Sequence, residues 1–456
     1  MNTSAIELIN PEVSQPELQQ AVDQVLDIAK RLGADDAVAA VSLDRGMSVT
    51  ARMGEVETVE MQADKGVSVT VYRKAKAGQH KGSASTSDLS PESLEKTVAA
   101  AMQLAEFTQA DDCAGLADKA EMATEFPELD LYHPWALSTD EAVKQAIECE
   151  AVARDFDPRI TNSDGATVST GVELTVLGNS LGFTAQVLGS GHSLSCAVLA
   201  EGNDEMQRDY AWRSARDAAE LDSASVIGKE AAQRTVERLG AKQIKTGEYE
   251  VLFDRRVARG LFASLFNAIS GGPQYRKNSF LLDCVGTQVL PDWLSISEHP
   301  RLQKGPRSAP FDMDAVATRE QTLLENGVVQ QYLLGVYSAR KLGLKTTGNA
   351  GGARNVRLTT NAETQADLLA DMGTGLWVTE LMGQGVNPVT GDYSRGAGGF
   401  WVENGVAVHP VDGITIAGNL KDMFMDIRGV SADTEANTNI ACGAVLLNKM
   451  TVAGEQ

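Results

Sequence analysis

Histidine is the commonest metal ligand and general base, and this chain has five: His80, His133, His192, His299 and His409. None stands three to five residues from another. A helical zinc site needs two histidines on one face with a carboxylate base beside them, so that motif is absent; a site assembled from scattered residues stays open. Gly178-Asn179-Ser180-Leu181-Gly182 fits the GxSxG spacing of a hydrolase nucleophile elbow, which needs a strand before the Ser and a helix after it. The preceding VELTVL reads as a strand, but the following GFTAQVLGSG is β-branched and glycine-rich. A hairpin turn is the better reading, with Ser180 as a nucleophile the alternative. Gly383-Gln384-Gly385 opens like a dinucleotide loop, but Pro388 stands where the third glycine belongs, and no P-loop spacing occurs.

One stretch carries charge of an unexpected sign. The chain has 40 basic and 62 acidic residues, a net −22, yet residues 331–360 contain Arg340, Lys341, Lys345, Arg354 and Arg357 with no acid. Five glycines lie among them. Glycine permits close backbone approach, and guanidinium and ammonium groups meet carboxylates, so the stretch reads either as a surface for a substrate or partner or as a solvated loop. Elsewhere the acidity excludes partners. Nucleic-acid affinity comes largely from neutralising phosphates, which makes this chain a poor direct binder of DNA, RNA or an anionic membrane surface. Residues 101–160 are the most acidic part, with fourteen Asp/Glu against four Lys/Arg.

The opening residues, MNTSAIELIN, hold neither a basic nor an apolar segment, and no apolar run approaches the ~20 residues that span a bilayer. Cys113, Cys149, Cys196, Cys284 and Cys442 are scattered, odd in number and without a CxxC pair, which fits a reducing compartment. A cytoplasmic protein is expected.

At 456 residues the chain exceeds a single core. Val22, Val25, Leu26, Ala29 and Leu32 recur at helical spacing, and Ser90-Pro91 and Ser138-Thr139-Asp140-Glu141 open two further helices. Between the first two helices run AVAAVS, MSVTAR, VETVEM and GVSVTVYR, short alternating segments with a turn at Asp64-Lys65-Gly66. Residues 108–136 have no period and read as a connector. A helix ends near Gly240, and beyond it come an apolar helix around Ala258–Ile269, strands, glycine turns, and Asn-Gly hairpins at Asn326-Gly327 and Asn404-Gly405. The expected fold is α+β. Residues 1–107 form an N-terminal segment with a sheet and flanking helices, and 108–242 complete that half. Residues 243–456 form a mainly antiparallel β domain with one apolar helix.

Several segments also resemble the PmbA/TldD family, in its PmbA (TldE) branch. They are Gly66-Val67-Ser68-Val69, Ala84 to Pro91, Asn179 to Phe183, Asp204 to Tyr210, Pro310-Phe311-Asp312, Glu325-Asn326-Gly327, Tyr337 to Gly343, Thr347 to Ala350, and Met450 to Gly454. Order and spacing agree nearly end to end. The resemblance implies a PmbA/TldD-like fold and a two-subunit zinc metalloprotease acting on unfolded or extended peptides, in peptide-antibiotic maturation and the degradation of unstructured segments. It implies a TldD-like partner that carries a His-Glu-x-x-x-His zinc helix completed by a Cys. At the equivalent positions this chain has Ala263, Ser264 and Ala268, so the resemblance implies zinc in the partner, no metal or other cofactor in this chain, and no catalytic residue here. Arg340, Lys341, Lys345 and Arg354 are the expected substrate- or partner-binding residues. The family's older description, modulator of DNA gyrase, sits badly with the acidity. A homodimer of the chain alone, an independent hydrolase using Ser180 or an unrecognised metal site, and a scaffold without proteolytic link stay open.

Overall fold

Residues 8–202, 205–435 and 437–454 are described by the computed structural model; Asp204 of the family segment lies outside them. Local chemistry sets the helices of the first half. Asn10 and Pro11 start α1 (Pro11–Arg31), Ser90 and Pro91 start α2 (Pro91–Phe107), and the Ser138–Glu141 capping box starts α3 (Thr139–Arg154). Ser223 caps α4 (Ala224–Glu237). All four pack on one face of a six-stranded antiparallel sheet whose order is β3-β2-β1-β4-β5-β6. Its strands are β1 (Asp36–Arg52), β2 (Glu55–Ala75), β3 (Gly78–Thr86), β4 (Ile160–Asn179), β5 (Thr184–Gly202) and β6 (Glu205–Ala215). Alternation puts Ala37, Ala39 and Val41 under the helices, while Val38 and Ala40 point to the opposite, half-open face.

One expectation for this half changes. The short runs around Asp64-Lys65-Gly66 are one strand: Gly66 lies opposite Ser42 and Asp64 opposite Asp44 in an unbroken ladder. A glycine flanked by charges reads as a turn, but pairing with β1 supplies its backbone hydrogen bonds and keeps it extended. β3 covers only Val67–Ala75 of β2, so residues 55–66 form an outer edge with no strand beyond it among the described residues. Ser180 sits in the β4–β5 hairpin turn, with Gly182 at φ +90°.

The second half has two sheets around one core. The larger has order β14-β13-β12-β7-β17-β15, from β7 (Gly247–Phe253), β12 (Gly375–Met382), β13 (Asp392–Glu403), β14 (Val406–Asn419), β15 (Ile427–Val430) and β17 (Val445–Ala453). The smaller has order β10-β9-β8-β11-β16, from β8 (Ile296–Glu298), β9 (Gln321–Glu325), β10 (Val328–Val329), β11 (Val356–Leu358) and β16 (Ile440–Ala441). Pairing is antiparallel except for β7–β12 and β11–β16. Both Asn-Gly hairpins form, with Asn326, Gly327, Asn404 and Gly405 all at positive φ. The apolar helix α5 (Arg255–Ala268) buries Phe262 and Leu265 completely. It is joined by four short helices: α6 (Gly271–Arg276), α7 (Val336–Leu342), α8 (Gln365–Met372) and α9 (Leu420–Met425). Their six to eight residues are too few for a helical period to show in the sequence.

The connector ties the halves together. Ala123 N–H donates to Ala315 O and Ala317 N–H to Glu121 O, while Met122 packs with Phe183, Phe311 and Val316.

Candidate functional site

Three places bear on chemistry. The first is α5, whose start is fixed by Asp254: the carboxylate accepts from Arg256 N–H and from Trp377 Nε1–H (3.1 Å). Arg256 also reaches Asp209 on β6 (3.2 Å), so this helix terminus is pinned across the junction of the two halves. Ala263 and Ala268 are five residues apart, about 140° around the helix, and accordingly Ala263 is exposed whereas Ala268 is buried. Ser264 Oγ donates back to Gly260 O. α5 packs against β16, which leads into Cys442. Burial pushes the Cys442 thiol above its ordinary range, and Sγ donates to Gly443 O. A zinc ion needs deprotonated sulfur, imidazole or carboxylate donors. Two methyl groups, a back-bonded hydroxyl and a protonated thiol do not fit it.

The second place is the basic stretch. It is not a solvated loop: Tyr337, Arg340 and Lys341 lie on α7 and grip the acidic connector. Arg340 donates through Nη2 to Leu116 O (2.8 Å) and pairs with Asp118. Lys341 Nζ lies 2.9 Å from Asp111 Oδ1, and Tyr337 O–H donates to the other oxygen. The Lys341 hydrogen bond, reinforced by Cys113 N–H, holds the Asp111 carboxyl down to about 2, and Asp111 pushes the Lys341 ammonium up to about 12. Asp111, Asp112 and Cys113 are the one potential metal-ligand group among the described residues, and Lys341 already pairs with its Asp111. Lys345 stays exposed with no ion pair among the described residues. The four sequence-expected binding residues therefore do not converge: two clamp the connector, Lys345 faces outward and Arg354 points elsewhere.

Arg354 belongs to the third place, a cavity of about 540 Å³ between the open face of the first sheet and the segment 306–313. Its wall on the sheet side includes Val38, Ala40, Leu177 and Val187; Phe311 and Met313 close it from the other half. Arg216 spans the gap, donating to Ser190 O (2.8 Å) and Pro306 O (2.9 Å). Arg354 donates to Phe311 O (3.0 Å) and Arg307 O, and its Nε is buried without a partner. Its backbone N–H goes to Glu298, a buried carboxylate also held by Gln321 and Asn349. Asp312 is 1% exposed and accepts three backbone N–H groups, from Asp314, Val316 and Ala350, yet burial outweighs them and pushes its carboxyl up to about 6. Sequence reasoning found Arg354 but missed the cavity, because Arg216, Arg307 and Asp312 come from segments with no shared pattern; only Pro310-Phe311-Asp312 stood out, as a family segment.

The remaining candidates are structural. Ser180 Oγ accepts from Ala37 N–H (3.0 Å) and donates to Asp36, so no imidazole activates it. His133 pairs with Asp130 and Asp217, and His192 bridges Thr170 and the His133 carbonyl.

Sequence comparison assigns this architecture, a helix-covered sheet joined to a two-sheet β domain, to a metallopeptidase family. PmbA/TldA metallopeptidase domain 1 matches residues 37–105, the central domain 132–239 and the C-terminal domain 246–454. The chain belongs to the PmbA/TldD family. It is 47% identical to the Escherichia coli O157:H7 protein named metalloprotease PmbA, over 97% of this chain and 98% of that one. A metalloprotease PmbA homologue of Haemophilus influenzae is 44% identical, with 97% of each covered. A TldD homologue from the same organism is 21% identical over 93% of this chain and 91% of its own length. The fold matches a Bacteroides thetaiotaomicron protein described as a modulator of DNA gyrase (TM-score 0.91, 24% identity, 96% and 99% covered). It also matches TldE from Thermococcus kodakarensis (TM-score 0.81, 20% identity, 95% and 100% covered). No described helix is long and apolar enough to cross a membrane.

Proposed function

We propose that this chain is the non-catalytic subunit of a cytoplasmic two-subunit zinc metallopeptidase, paired with a TldD-like chain that holds the metal. The assembly cleaves unfolded or extended peptides, in peptide maturation and in clearing unstructured segments. The observation that carries the reading is the donor set at α5: Ala263, Ser264 and Ala268 offer no metal ligand and no carboxylate base, in a chain that otherwise follows the family from end to end. The subunit's own residues then serve to shape the enclosure, and strand edges and clefts hold peptide backbone. Exposed Lys345 and Arg357 have no ion pair among the described residues and are free to meet the partner. The test is reconstitution with an unfolded peptide. Neither chain alone should cleave it, the mixture should, and chelator should stop the reaction. Chelator-sensitive cleavage by this chain alone, with the partner absent by mass spectrometry, would refute the reading.

A further inference from the structure

In an acid-rich chain, arginines such as Arg213 and Arg428 sit on carboxylates. The three that line the large cavity do not. Arg216, Arg307 and Arg354 each spend their N–H groups on neutral backbone carbonyls, at Ser190 and Pro306, at Gly351, and at Arg307 and Phe311. None forms an ion pair among the described residues. Two acids share the cavity: Glu173, and Asp312, whose oxygens are already occupied by backbone donors. An adjoining cavity of about 270 Å³ shares Glu173, Gly189 and Arg216 and adds Asp44 and Arg45, so its charges balance and the surplus of cations is confined to the larger cavity.

We propose that this cavity is a receptor for the C-terminal carboxylate of an extended peptide, with Arg307 and Arg354 taking the carboxylate and the Phe311, Met313, Leu177 and Val187 wall taking the last side chain. This assignment rests on the peptide-handling reading above. A guanidinium matches a carboxylate through two parallel N–H···O bonds, which no carbonyl can satisfy, and exposed Arg307 commits only Nη2 to a carbonyl, leaving donors for such a ligand. The volume suits a ligand of two or three residues, within the roughly 300–1,000 Å³ of small-ligand sites, and the mixture of apolar walls with a few convergent polar groups is typical of them. The chain thus anchors a peptide end without cutting it, and leaves the body of the peptide for the partner.

Calorimetric titration of the full chain with a hexapeptide ending in Leu tests this, using the free acid, the C-terminal amide, and the amide with Glu as last residue. The free acid should bind at least tenfold tighter than either amide. Exposed Arg307 should tolerate Arg307→Gln, which should cost the acid about tenfold and the amide nothing; Arg354→Lys should keep the charge yet lose most of the preference. Equal affinity for acid and amide, no binding of either, or full rescue by the Glu side chain overturns the site. Reconstituted cleavage that persists alongside such a result leaves the two-subunit reading standing; loss of cleavage on mixing overturns that reading independently.

Discussion

Asp312→Asn should change how stability depends on pH. The Asp312 carboxyl has an ordinary value near 3.8 when unfolded and about 6 when folded. A separation of about two pH units between the folded and unfolded chains corresponds to about 3 kcal/mol, at about 1.36 kcal/mol per unit. The sign follows from proton counting. Between these values the folded chain holds the proton and the unfolded chain does not, so stability is fully present below about 4 and is lost as pH rises through about 6. Asparagine keeps the shape and the neutral charge of the protonated acid at every pH. Urea unfolding of both proteins across this window should therefore show the wild type losing on the order of 2–3 kcal/mol relative to the variant between about pH 4 and 7. Hydrogen-exchange protection at Val316 and Ala350 N–H, which donate to this carboxylate, should fall over the same range in the wild type alone once the intrinsic, base-catalysed exchange rate is divided out. A difference that is flat, or that rises with pH, would refute the reasoning: it would mean that the three backbone donors stabilise the anion more than burial destabilises it.

Placing histidines at both Ala263 and Ala268 should not confer zinc binding, because Ala268 is packed in the core with no room for an imidazole and burial keeps the Cys442 thiol protonated; one zinc per chain surviving dialysis, by elemental analysis, would contradict this. Arg340→Glu should cost about 1–3 kcal/mol and expose the connector near Lys119 to trypsin, since two carbonyls lose their donor. Lys345→Glu should leave stability within about 0.5 kcal/mol but weaken assembly with the partner, most clearly at low salt; unchanged affinity there would remove Lys345 from the interface. Ser180→Ala should leave reconstituted cleavage intact while costing about 1 kcal/mol for the lost bond to Ala37 N–H, read by thermal melting.

Much of the fold was legible wherever a local rule decides. Pro91 behind Ser90, the Ser138–Glu141 box and the two Asn-Gly pairs each name one conformation from adjacent residues, and each forms as read. The rule failed where distant pairing overrides it: Asp64-Lys65-Gly66 has turn composition, but β1 fixes it as strand. α7 was hidden for a different reason, since seven residues between Gly335 and Gly343 carry too little periodicity. The site was less legible than the fold. Arg354 was visible as part of a basic run, yet its setting depends on Arg216 and Asp312, brought together by tertiary packing. Arg340 and Lys341 looked like ligand-binding residues because their acidic partners lie more than two hundred positions earlier in the sequence.

The outer edge of β2 has a consequence for the behaviour of the protein in solution. Residues 55–64, EVETVEMQAD, are exposed along their whole length, and Val59 and Met61 stand beside a row of unshared backbone donors and acceptors. Such an edge is a template for another strand. Glu55, Glu57, Glu60 and Asp64 line it with no cation in the segment, so two identical edges repel each other when they approach. Colloidal stability near neutral pH is thus written into four side chains. Salting the buffer screens that repulsion while leaving the sticky backbone.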